Sequence, residues 1–110
     1  MIGESSPFML VRARARAEAR PRFAEWFRSV HLRDVGRIPG ITTIQSGTTA
    51  GGTKLGFYSF AGADVIQGAL SSPEASYARG TWDAWSNDLE ELSIEIFAPL
   101  LSLPVYRALS

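Results

Sequence analysis

The segment from Phe8 to Ala17, FMLVRARARA, alternates with a period of two, so that Met9, Val11, Ala13 and Ala15 share one face and Leu10, Arg12, Arg14 and Arg16 the other. Alanine and arginine each favour helix. Wound as a helix, however, this segment would scatter its arginines around the circumference and leave no apolar stripe. The pattern therefore predicts a strand with one apolar and one cationic face. A chain of 110 residues, 45% hydrophobic and 20% charged, fits one globular domain spanning residues 1–110. A chain of this size buries about two-thirds of its unfolded surface, enough for one core without staples.

Helical spacing follows the strand. Pro21 suits a first helical turn, where its missing N–H costs nothing, and Phe23, Trp26, Phe27, Val30 and His31 then recur on one stripe. Gly36 and Pro39-Gly40 end that run. Ile41 to Ser46 is short and β-branched, and residues 47–53 (GTTAGGT) form a turn into a second strand, Lys54 to Phe60. The paired glycines are no phosphate loop, since the lysine spacing and strand-to-helix context are missing. Asp64 to Leu70 makes a short helix, and Ser72-Pro73-Glu74 starts another with a capping residue and a first-turn proline. There Ala75, Ala78, Trp82 and Trp85 share one face. Leu92, Ile94 and Ile96 mark a last strand, with Glu90-Glu91 read as a solvated turn before it. Residues 1–7 read as a flexible N-terminus, and residues 100–110 (LLSLPVYRALS) as an apolar tail that must pack on something.

The order β-α-β-β-α-β is an α+β, ferredoxin-like arrangement, one antiparallel sheet with both helices on one face. With Met9, Val11, Ala13, Ala15, Leu92, Ile94 and Ile96 turned to the helices, Leu10, Arg12, Arg14, Glu95 and Phe97 form the other face. That mixed face is explained if two sheets close on each other in a two-fold homodimer. Arg12 or Arg14 paired with Glu95 would offset their desolvation. Charge is also segregated: residues 1–40 carry eight arginines against four acids, and residues 41–110 three bases against seven acids, so the halves attract.

Several partners are disfavoured. No cysteine and one histidine make a zinc site improbable, and no acidic loop has calcium-binding spacing, so no metal is expected. Neither a secretory signal nor a membrane-length apolar run is visible, which points to the cytoplasm. Five arginines at 12, 14, 16, 20 and 22 invite a nucleic-acid reading, yet a neutral domain with an alternating strand lacks the broad basic stripe such binding needs.

Residues 23–41, FAEWFRSVHLRDVGRIPGI, resemble a segment common in the EthD-like branch of the dimeric α/β barrel superfamily, where a Trp and a His-Leu pair precede an Ile-Pro-Gly turn. Residues 69–85, ALSSPEASYARGTWDAW, are similar to that branch's second helix. The resemblance covers about residues 8–99. The branch often has proline after His-Leu, whereas this chain has Arg33, which lets the helix run past His31. The superfamily implied by the resemblance includes cofactor-independent oxygenases, polyketide cyclases, lactone isomerases and haem degraders, so the fold does not select a reaction.

His31 is the leading candidate for chemistry, because an imidazole exchanges a proton near neutrality. On the buried stripe it faces the sheet opposite Ala13 and Ala15, whose small side chains leave room for a ligand. Tyr58 and Tyr77 are candidates to steady an oxyanion, and Trp82 and Trp85 to wall an apolar ligand. All five aromatic residues also suit core packing, with His31 satisfied by Asp34 or a carbonyl. The expected function is a small-molecule enzyme acting on an apolar aromatic or polyketide-like substrate by histidine-assisted proton transfer, needing no organic cofactor. The alternatives are a non-catalytic binding or assembly module and haem ligation by His31.

Overall fold

The computed structural model describes residues 6–99. Its first strand, β1, spans Phe8–Ala15 and alternates half-buried and buried residues along its whole length. Met9, Val11, Ala13 and Ala15 are the buried set. The strand stops short of Ala17, because the Arg16 N–H bonds the Asp88 carbonyl at 2.8 Å and Ala17–Ala19 tighten into a 3-10 turn.

Strands β2 (Ile41–Thr48), β3 (Lys54–Phe60) and β4 (Leu89–Phe97) complete one sheet in the order β2-β3-β1-β4. Every neighbouring pair is antiparallel. This is the ferredoxin-like α+β arrangement, with β1 in the interior of the sheet and β4 at its edge. On the cationic face Arg12 Nε reaches Glu91 at 3.2 Å, and Arg14 reaches Glu90 at 3.1 Å and Glu91 at 3.4 Å. Glu95 is not the partner expected from the sequence. It stands across from Leu10, while Glu91 stands across from Arg14, so the register decides the pairing. Glu90 and Glu91 accordingly lie inside β4 rather than in a turn before it. These half-exposed pairs contribute at most about 1 kcal/mol each.

The first helical layer is a continuous run over residues 20–35: α1 (Arg20–Trp26), a π turn (Phe27–His31) and α2 (Leu32–Val35). Phe23, Phe27, His31 and Val35 are all buried at intervals of four. In a regular α-helix that spacing drifts about 40° per step, which would carry Val35 well off the face of Phe23. The π turn, closed by Leu32 N–H to the Phe27 carbonyl, widens the winding and keeps the four in line. The helix does run on past His31, ending at Gly36.

The second layer joins a 3-10 turn (Ala63–Val65), α3 (Ile66–Leu70), α4 (Pro73–Gly80) and a 3-10 segment (Thr81–Trp85). Ser72 caps α4: its Oγ accepts from Ala75 N–H at 3.1 Å. Ala75, Ala78, Trp82 and Trp85 are buried on one face, as their spacing predicts. Leu92, Ile94 and Ile96 pair with Ala13, Val11 and Met9 and so share the helix-side face. They do not meet the helices as fully as expected, however, because β4 is the sheet edge and the helix layer stops short of it. They remain 45%, 47% and 42% exposed. Among the described residues no helix is long and apolar enough to cross a membrane. The tail at 100–110 and most of the N-terminal segment lie outside the described residues.

Gly56, opposite Val11 in the sheet, permits one close approach. Tyr58, two residues on and on the same face, lays its ring back over the Gly56 Cα, where a Cβ would collide with the phenol. Tyr58 is fully buried and has nowhere to swing. Gly56→Ala is therefore expected to destabilise the fold by about 1–3 kcal/mol, read as a lowered urea midpoint with an unchanged slope.

Candidate active site

His31 leaves the π turn toward the sheet and is 3% exposed. Its Nε2 lies 2.7 Å from the hydroxyl of Tyr58 on β3. Aromatic rings enclose the imidazole: Phe27 at 4.7 Å between centroids, Trp82 edge-on at 4.9 Å and Trp26 stacked at 5.6 Å. Nδ1 has no partner among the described residues. Burial among these rings penalises the imidazolium and pushes the His31 pKa down to about 4. Burial likewise raises the Tyr58 phenol above its ordinary value. Both groups are therefore neutral at pH 7, and a single proton lies between Oη and Nε2.

This pair opens into a cavity of about 200 Å³. Met9 and Val11 from β1 and Ile94 and Ile96 from β4 form its sheet side. Val35 and Ile38 line it beside His31, and Leu70, Ala75, Ala78, Arg79 and Trp82 close it from the second helical layer. A small apolar chamber with one convergent polar pair is the usual form of a small-molecule site. A haem iron could take His31 Nε2 only by displacing Tyr58, its partner at 2.7 Å. Among the described residues no three acids, cysteines or histidines cluster to hold a metal.

The structure brings together His31, Tyr58 and Trp82 of the residues singled out in the sequence. It separates the others. Tyr77 is 62% exposed and lines an outer groove with Asp34, Arg37, Pro73 and Glu74, because α4 turns it away from the sheet. Ala13 and Ala15 are buried in the core but do not line the cavity, which lies further along β1 at Met9 and Val11. Trp85 packs edge-on to Phe23 at 5.2 Å and carries Arg22 over its outer face at 5.3 Å. Asp34 is not bonded to His31; its Oδ1 meets Arg33 at 3.5 Å and its Oδ2 is unpartnered among the described residues. Sequence reasoning missed Gly56, although a glycine inside the strand pattern KLGFYSF signals a close approach. It also missed the lining residues Ala75, Ala78 and Arg79.

No family model matches the sequence, and no curated protein matches it. Solved structures share the fold. An EthD family protein of Bacillus halodurans superposes with a TM-score of 0.65 at 15% identity, over 81% of this chain and 96% of its own. A variant of SnoaB, a cofactor-independent oxygenase from Streptomyces nogalater, gives 0.64 at 15% identity, over 93% of this chain and all of its own. A protein of unknown function from Nitrosomonas europaea gives 0.64 at 21% identity, over 92% and 96%. The fold expected from the resemblance is thus the fold observed.

The depressed histidine makes stability depend on acid. Unfolded, His31 takes up a proton near pH 6.5; folded, it does so only near pH 4. Between those values the unfolded chain binds more protons, so stability falls as pH drops through that window and is flat above it. The loss from this residue is about 3 kcal/mol. Urea titrations from pH 7 to 4 are expected to show it in the parent protein. In His31→Gln that part of the slope disappears.

Proposed function

We propose that the protein is a small-molecule enzyme of the cytoplasm that acts on an apolar aromatic or polyketide-like substrate by proton transfer through His31 and Tyr58, without an organic cofactor. The observation that carries this reading is the 2.7 Å bond between two buried, neutral, titratable groups on the wall of an otherwise apolar chamber. A substrate with an acidic C–H or enol O–H beside Tyr58 passes its proton to Oη as the tyrosine proton moves to Nε2. One proton has entered the pair, and the products are an enolate and an imidazolium with the Tyr58 hydroxyl between them. Their attraction raises the histidine pKa only while the anion is present. Once the anion is reprotonated or consumed, desolvation drives the imidazolium to release its proton. The pair therefore suits chemistry that borrows a proton and returns it, the first step shared by isomerisation, cyclisation and oxygenation of an electron-rich ring. SnoaB, named a cofactor-independent oxygenase, has the same fold and supports this class.

The direct test is α-hydrogen exchange of 2-tetralone, a bicyclic ketone of suitable size, followed by NMR in heavy water. The parent protein is expected to accelerate exchange, with His31→Gln and Tyr58→Phe each slower by about 10²–10⁴-fold while circular dichroism shows both folded. Unchanged exchange in His31→Gln would remove the catalytic reading. Saturable binding of the ketone with no acceleration would favour the alternative, a non-catalytic binding module.

The open sheet face supports a homodimer. Phe8 lies 5.9 Å from Phe57 and 5.4 Å from Phe97, and the latter two are 39% and 49% exposed. A row of aromatic rings flanked by neutralised arginines is suited to a second copy of the same face. Sedimentation velocity at micromolar concentration is expected to show a dimer, and Phe57→Glu a monomer. A monomeric parent protein would refute this assembly.

A further inference from the structure

Arg79 is the cavity-lining residue whose side chain carries a permanent charge. It lies on α4 directly after Ala78 and is exposed to solvent, which puts it at the chamber's rim, and Ile94 and Ile96 of the same lining are themselves half-exposed. Its Nη1 donates to the carbonyl of Leu70, another lining residue, at 3.0 Å. That bond ties the guanidinium to the rim. Arg12, Arg14, Arg16, Arg20, Arg28 and Arg33 each reach a carboxylate, whereas among the described residues Arg22, Arg37 and Arg79 reach none, and of these three Arg79 lines the chamber. Of its five N–H donors one is committed, and the planar fork retains a free edge for two parallel bonds to an anion.

We infer that Arg79 anchors the carboxylate of an aromatic acid whose ring occupies the chamber. The inference rests on the chamber's being the substrate site. Within it the orientation follows from solvation. A carboxylate placed among Met9, Val11 and Val35 would lose its water with no cation to replace it. At the rim it keeps part of its hydration and gains a bidentate partner. The acid therefore enters ring first, with the anionic end held outside by Arg79 and the reacting carbon directed inward to the histidine and tyrosine.

The probes are 2-naphthoate and 2-naphthamide, alike in shape and different in charge, with binding followed by calorimetry. The parent protein is expected to bind the carboxylate at least tenfold more tightly. In Arg79→Gln that preference is lost, because the carboxylate weakens while the amide does not. Arg79→Lys, which keeps the charge but not the fork, is expected to restore only part of it. Equal affinity for both probes in the parent protein would overturn the anchor and leave the chamber as a binding site. Failure of both probes to bind would overturn the chamber reading, and the anchor with it.

Discussion

Everything in this fold hangs on the pleat of β1. An interior strand must satisfy neighbours on both edges and present compatible chemistry to both sheet faces, and alternation achieves this with period two. On the helix side the residues shrink from Met9 and Val11 to Ala13 and Ala15, so the helices can approach closely at one end and leave space at the other. On the opposite side the arginines lie within reach of the acids of β4, and the opposed charges of the two halves of the chain meet inside one sheet. A slip of one residue would turn Arg12 and Arg14 into the aromatic core, away from the acids of β4. The register is thus set by the cost of burying a cation as much as by the gain from burying Val11.

That taper also explains where the polar pair sits. At the alanine end the aromatic rings of Phe23, Trp26, Trp82 and Trp85 pack against one another at centroid distances from 4.9 to 6.0 Å. His31 stands at the border of this cluster, with rings on one side and the chamber on the other. Putting two hydrogen-bonding groups there costs desolvation, which a single bond between them only partly offsets. A leucine and a phenylalanine would fill the same space with less penalty. The pair, its unpartnered Nδ1, the π turn that aims it and the glycine that admits the tyrosine are departures from a structure built for stability alone, and they converge on one place.

Much of this was legible in the linear pattern. The strand and helix order, the buried faces of β1 and of Ala75, Ala78, Trp82 and Trp85, the Ser72 cap and the burial of His31 each follow from spacing, because main-chain periodicity is a local property. Side-chain partnership is not. Tyr58 and Tyr77 looked equivalent as residue types, yet one follows the pleat of an interior strand into the core and the other projects from α4 into solvent. Glu95 was the acid expected to pair with arginine, and Glu90-Glu91 a solvated turn, until the antiparallel register put Glu95 across from Leu10 and Glu91 across from Arg14. The extent of burial along β4 could not be read either, since it depends on that strand's place at the sheet edge.

The sequence by itself therefore determined the elements, their order and which face of each is apolar, since those depend on residues a few positions apart. Tertiary structure alone decided that His31 meets Tyr58, 27 residues away in the chain, and that Arg79 borders their chamber. Those meetings are set by strand register and by how far the helices cover the sheet. Both are balances struck across the whole core, and no local spacing encodes them.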